Sequence, residues 1–344
     1  MDVLKSNFHL IFIYEVIFLN YIVSAQGGLY CFFGRDGGLF WCRHLGGGSW
    51  SAPSHFRDRG VVDFSVSLCE GRVLIICQSD SEVEHVFFDR GIFETTKLLK
   101  GGVQGHYFGL PLGEETFLTH NMPITGDYTQ VLMSHRVDSA RIWRDSRHLG
   151  RVIPLSKKRC FEIVPIRDQH FLLFYQAQGN GFGGDLGYRE VYGEEMGRFN
   201  VVHQNANING GCHSFLANTD GFHMVYMTKG LLVPSLNYIK RDKNGLSKRL
   251  TVAQGHNVHS PVLYFNEGQL NLLYMRGEDV FVCSFGDGEK PVVTPPIKQE
   301  GTAASTLRVS KYLHENKSQK DFISNEIVVC THKPWKIKIF NEFL

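Results

Sequence analysis

Val262-Leu263-Tyr264-Phe265-Asn266-Glu267-Gly268-Gln269-Leu270-Asn271-Leu272-Leu273-Tyr274 is the stretch whose reading decides the fold. Two apolar runs of strand length flank a polar turn. Asn and Gly populate such turns because they tolerate positive φ. The second run has counterparts along the chain: Leu29-Tyr30-Cys31-Phe32-Phe33, Val73-Leu74-Ile75-Ile76-Cys77, Phe171-Leu172-Leu173-Phe174-Tyr175, Phe222-His223-Met224-Val225-Tyr226 and Ile327-Val328-Val329-Cys330. A weaker copy stands at Thr116-Phe117-Leu118-Thr119. The copies recur at intervals of about 43 to 57 residues, the range of propeller blades.

Each copy has a strand-like run before it and two after it, as in Leu236-Asn237-Tyr238-Ile239 and Arg249-Leu250-Thr251-Val252. Four short strands per repeat make an antiparallel meander. The second run is the most apolar, as expected of a strand covered on both faces. The sequence therefore predicts an all-β chain: a single β-propeller of about seven four-stranded antiparallel blades, with six or eight as alternatives. The blades fall at 17–56, 60–100, 104–155, 158–204, 210–254, 257–297 and 303–344. The last offers only three runs, around Leu307, Val328 and Ile337. The leftover run Phe8–Tyr14 (residues 7–14 with their flank) is expected to supply the fourth strand and close the ring, since an open ring leaves exposed sheet edges.

Composition agrees with strands and tight turns. Of 344 residues, 43% are hydrophobic, 12% aromatic and 20% charged, with 36 glycines. The net charge is only +2 and the basic residues are scattered. A nucleic-acid partner would call for a concentrated basic stripe, so none is expected. The eight cysteines form no CxxC pair and sit mostly in apolar runs, which reads as reduced core thiols in a cytosolic protein. No cofactor is implied. Residues 8–25 end in Val23-Ser24-Ala25, a sequence that a signal peptidase accepts. Asp2 precedes the only nearby lysine, Lys5, and Glu15 interrupts the apolar run. The segment is expected to be a structural strand, and the chain cytoplasmic; the alternative is a secreted protein with a cleaved leader. The run is too short and too interrupted to span a membrane as a helix.

In the first blade, Gly38-Leu39-Phe40-Trp41 is followed by Ser49-Trp50-Ser51-Ala52-Pro53. A strand, a short gap and W-S-x-P resemble the blades of sialidase-like and fucose-lectin-like propellers. The resemblance covers the repeat architecture of most of the chain and implies a fold more than a function. Sialidases also carry S-x-D-x-G-x-x-W turns. Here only the fragment Arg35-Asp36-Gly37-Gly38-Leu39-Phe40-Trp41 stands.

On the face where each blade's first strand begins, the links from second to third strands can build one shared site. The links at Asn121–Tyr128, Gln178–Gly187 and Thr228–Pro234 are longer than the others and belong to consecutive blades. Long loops on a rigid scaffold are where binding resides. Asp127, Tyr128, Phe182 and Asp185 lie in them and are the expected ligand-binding residues. His106, His213 and His259 join them, each near the start of a first strand, where they form part of a ring around the channel mouth. Strands of a wide ring stand too far apart for one ion to reach all three, so no metal is expected. Glu114, Glu115 and Glu190 also fall near this face and are candidate catalytic carboxylates by type only. Gly179–Gly187 lacks the Lys-Ser/Thr of a phosphate-binding loop, and there is no G-x-S-x-G or H-E-x-x-H. The polar stretch Lys311–Asp321 reads as an insertion in the last blade. The leading expectation is a non-enzymatic propeller that binds carbohydrate or a protein partner over blades three to five. A glycosidase-like enzyme using loop carboxylates and a structural protein of a bacterial surface or spore layer are the rivals.

Overall fold

The computed structural model describes residues 10–12, 21–46, 49–69, 71–100, 105–113, 115–124, 129–138, 143–155, 160–167, 169–179, 183–230, 232–266, 269–277, 279–286, 292–293, 306–314, 326–332 and 336–339. Its elements are all strands. The protein is an all-β propeller.

Six meanders follow one another. The first blade is Tyr21–Ala25, Gly28–Arg35, Gly38–Gly46 and Ser54–Arg57; the second is Asp63–Cys69, Arg72–Gln78, Glu82–Asp89 and Ile92–Lys100. The third comprises Tyr107–Leu112, Glu115–Pro123, Gln130–Val137 and Trp143–Ile153, and the fourth Phe161–Arg167, His170–Gln178, Gly184–Tyr192 and Asn200–Ala206. The fifth is Ile208–Asn218, Gly221–Thr228, Ser235–Asp242 and Leu250–Gln254; the sixth is Val258–Asn266, Gln269–Arg276, Asp279–Phe285 and Val292–Val293. A further sheet joins the two ends of the chain. Thr306–His314 pairs with Glu326–His332, which pairs with Lys336–Ile339, and Leu10–Phe12 adds to the latter antiparallel, Leu10 opposite Lys338. Tyr21–Ser24 runs parallel beside Lys311–His314, bringing the first blade against this sheet. Residues Lys311–His314 are therefore strand, not insertion. The insertion reading failed because the polar side chains there suit an edge or a solvated face as well as a loop. Likewise Gly184–Gly187 extends the third strand of the fourth blade, which shortens the expected loop to 179–183.

The core lies between blades, and the second strands show why. In a strand, alternate side chains point to opposite faces. Val73, Ile75 and Cys77 pack toward the first blade, with Tyr30, Phe32 and Phe88. Leu74 and Ile76 pack toward the third, with Tyr107, Leu118 and Val137. The fourth blade repeats the pattern. Phe171, Leu173 and Tyr175 face Leu110, Leu132 and Val152 of the third, while Leu172 and Phe174 face Phe215, Phe222 and Met224 of the fifth. Val225 and Met227 then meet Leu263 and Leu272 of the sixth. A strand sandwiched in this way must be apolar at every position, hence the unbroken runs in the sequence. Burial of a large apolar side chain contributes about 1.5–3 kcal/mol.

The segment around the possible cleavage site is built into this core. Tyr21, Ile22, Val23 and Ala25 are buried, and Ser24 is paired opposite Leu29. No helix among the described residues is long and apolar enough to cross a membrane.

Candidate functional site

Successive strands of a meander run antiparallel, so the start of each first strand and the link between second and third strands share one face. We call it the upper face. Polar side chains gather there at the inner strands, where neighbouring blades approach one another.

The third blade enters its first strand through a tight turn. Gly105 has φ of 108°, and a Cβ built on it would stand 1.7 Å from the Asn121 carbonyl oxygen. Only glycine fits this position. The next residue, His106, is buried and fixed by Asn121: its N–H donates to Asn121 Oδ1 at 3.2 Å, and its carbonyl accepts from the Asn121 N–H at 3.3 Å. Asn121 in turn donates from Nδ2 to Gln130 Oε1, which also receives the Cys160 thiol of the fourth blade at 3.2 Å. His106 Nδ1 lies 2.5 Å from Asp63 Oδ2, at the start of the second blade's first strand. Two residues on, Ser65 Oγ donates to the Tyr107 carbonyl at 2.9 Å.

The arrangement recurs two blades later. His213 Nε2 stands 3.5 Å from Glu162 Oε2, again a histidine on one blade facing a carboxylate on the blade before it. Both side chains are largely buried, and His213 Nδ1 has no hydrogen-bond partner. Ser214 Oγ accepts from the Leu263 N–H of the sixth blade at 3.0 Å. His259 behaves differently. Its Nδ1 is 3.0 Å from Ser260 Oγ and its Nε2 is 3.2 Å from the Gly277 carbonyl, both within its own blade. His106 and His259 thus stand at the starts of their inner strands and His213 in the middle of Ile208–Asn218, and their partners differ. Among the described residues no group of three or more His, Cys, Asp or Glu side chains is placed to hold a metal ion.

Of the loop residues, Asp185 begins the third strand of the fourth blade and accepts from the Asn205 N–H through Oδ1 at 2.9 Å. Asp127, Tyr128 and Phe182 lie outside the described residues, as does Glu114. Glu115 and Glu190 fall at the opposite, lower ends of their strands and do not belong to the upper face. Glu115 pairs with Arg136 at 3.0 Å, and Glu190 with His170 at 2.8 Å. Assigning them to the upper face failed because position along a strand, not proximity in sequence to a loop, decides the face.

Sequence reasoning passed over Asp63 and Glu162. The available signal was the repeat itself: each stands near the start of its blade's first strand, and a histidine stands in or beside the first strand of the next blade. The upper face also exposes Val62 and Met122, together with Leu232 and Val233 in the link of the fifth blade. Leu232 is 87% exposed.

Burial makes the core thiols poor nucleophiles. It pushes Cys77, Cys160 and Cys283 up to about 12. Thiol chemistry at these three positions is thereby excluded near neutral pH.

No family model matches the chain, and no curated protein matches it. Solved structures do. A catalytically inactive virginiamycin B lyase from Staphylococcus aureus, crystallised with quinupristin, is 10% identical over 97% of this chain and 98% of its own, with a TM-score of 0.53. The AfRom2 CNH domain is 11% identical over 98% of this chain and 97% of its own, with a TM-score of 0.52. A prolyl endopeptidase is 11% identical at a TM-score of 0.48; this chain is covered over 94% and spans about half, 50%, of that one. At such identities the likeness is one of fold, in line with the succession of four-stranded meanders described above.

Proposed function

We propose that the chain is a binding or scaffold propeller whose upper face, over blades three to five, takes a protein partner and is non-enzymatic. The observation that carries this reading is the exposure of Met122, Leu232 and Val233 at the long links of blades three and five. Exposed apolar side chains on such links favour a protein partner over a sugar, which is held mainly by hydrogen bonds and aromatic faces. The rim carboxylates support it too. A glycosidase needs two working carboxyl groups about 5–9.5 Å apart. Asp63 and Glu162 each face a histidine of the next blade instead, an arrangement that ties blades together. In the same reading the ring has seven blades, the last completed by Leu10–Phe12, and the buried Tyr21–Ala25 is part of the mature fold. Cys31 and Cys42, directly opposite on neighbouring strands and both free thiols, fit a cytoplasmic chain.

The test is capture of partners from a matched lysate by the full-length protein and by the Leu232→Asp/Val233→Asp double variant, with a glycan array run on both. Capture of a defined protein that the double variant loses supports the proposal. Glycan binding without protein capture transfers the face to a carbohydrate. Turnover of aryl glycosides by the purified chain overturns the non-enzymatic reading of this face.

A further inference from the structure

The third blade carries a chain of side chains at its lower, outer side that belongs to none of the above. The strands Gln130–Val137 and Trp143–Ile153 pair with a register slip between Ser134 and Arg136, whose partners jump from Arg147 to Arg144. Within that jump Asp145 adopts φ of 47°, an uncommon conformation for a residue with a side chain. The slip is a bulge opposite His135, and bulges re-aim the side chains they contain. Here the side chain is Ser146. It is exposed, and its Oγ lies 2.8 Å from His135 Nδ1. His135 Nε2 lies 2.9 Å from His120 Nε2. Both rings are buried, nearly parallel at 14°, and Tyr107 stacks on His120 with its centroid 4.8 Å away.

We propose that Ser146, His135 and His120 form an acyl-transfer site for small activated esters. The geometry is that of a nucleophile, a general base and a third group orienting the base. A hydrogen-bonded chain that merely satisfied two buried imidazoles would need no exposed hydroxyl at its end, nor a bulge to bring one there. The hollow beside His135, walled by Arg136, Asp145, Arg147, Val191, Glu194 and Met196, has room for about one water. Ser146 itself stands at the surface, so the acyl group it takes is short and the ester must be activated. Burial holds His135 below its ordinary value and, with the neighbouring ring, brings His120 to about 4. Both are therefore neutral at pH 7, as a base must be.

In the reaction Ser146 Oγ attacks the ester carbonyl carbon while its proton passes to His135 Nδ1. The negative charge that develops on the carbonyl oxygen is met by solvent at this exposed position. The C–O bond to the alcohol then breaks, and the alcohol leaves with the proton from His135. Water repeats the sequence: its proton goes to His135, its oxygen joins the acyl carbon, and the carboxylic acid departs as Ser146 regains its proton. His120 acts through His135 and is a positioning residue. The site lies at the other end of the blade from the upper face and stands whether or not that face binds a protein.

The experiment treats the full chain with a fluorophosphonate probe and maps the adduct by mass spectrometry, with p-nitrophenyl acetate hydrolysis in parallel. A single adduct on Ser146 is expected, absent in Ser146→Ala and formed about 100-fold more slowly in His135→Gln, the usual contribution of a general base. Hydrolysis is expected to decline as the pH falls through the titration of His135, and His120→Gln to shift that limb. No adduct on Ser146, or equal labelling of His135→Gln, overturns the proposal. So does unchanged hydrolysis by Ser146→Ala, whose exposed position keeps the test valid even where the histidine variants fail to fold.

Discussion

The second strands of the third and fourth blades occupy equivalent places and are filled in opposite ways. In the fourth, Phe171 to Tyr175 is five consecutive buried apolar residues, shared between two neighbouring blades. In the third, Phe117 and Leu118 are flanked by buried Thr116, Thr119, His120 and Asn121. That stretch of the fourth blade is held by area and shape. The third is held by directed polar bonds, which cost desolvation but place side chains to a fraction of an ångström. It is the third blade that carries both the Asp63–His106 tie and the Ser146–His135–His120 chain.

The contrast can be broken most forcefully in the fourth blade. Phe174 packs 4.4 Å from Phe215 and 5.2 Å from Phe222 by ring centroids. Phe174→Ala is expected to cost about 4 kcal/mol in urea unfolding, the usual figure for an emptied aromatic site. A loss under about 1 kcal/mol would show that the interface collapses around the hole. In the third blade His106→Ala leaves Asp63 facing a gap, and about 3 kcal/mol is expected, since removing one member of a buried pair strands the other. Equality with the wild type by the same unfolding measurement would deny the tie any part in joining blades.

Acid sharpens the comparison further. His85, His120, His203 and His223 are each brought to about 4, chiefly by burial, from an ordinary 6.5. Between those values the unfolded chain binds more protons than the folded one. Stability is therefore full above pH 6.5, falls as the pH drops below it, and levels off near 4. Thermal melts across that range are the check, and hydrogen exchange is expected to report opening of the third blade before the Phe171–Tyr175 strand. The smallest effect expected is a gain. Thr119 Oγ1 is buried without a partner. Thr119→Val removes an unsatisfied hydroxyl at constant shape and is expected to raise stability by about 1 kcal/mol. A loss in the melting temperature would mean that a buried water pairs with that hydroxyl.

The same contrast explains what the sequence made legible. Fully sandwiched strands such as Val73–Cys77 and Phe171–Tyr175 announce themselves because both faces must be apolar. Thr116–Thr119 read as a faint copy for the converse reason: its polar Thr116 is satisfied by His85 of the second blade, a tertiary partner that no local pattern displays. His106 and His259 could be placed at the starts of inner strands from spacing alone, whereas His213 falls in the middle of Ile208–Asn218. Their answering groups could not, since Asp63 lies 43 residues before His106 and the link exists only once two blades are packed. Ser146 was invisible altogether. Its approach to His135 depends on a one-residue slip in register, and alternation of apolar and polar residues carries no trace of it.

The sheet that unites Leu10–Phe12 with Lys336–Ile339 dictates an order of events. The early strand has no partner until a segment roughly 320 residues downstream has been made, a wait of about 15–65 s at ordinary rates of synthesis. Every meander from Tyr21 to Val293 can form by local hairpins while the polypeptide is still growing. The seam alone must wait, and its closure is the long-range, slow step that turns a row of sheets into a ring.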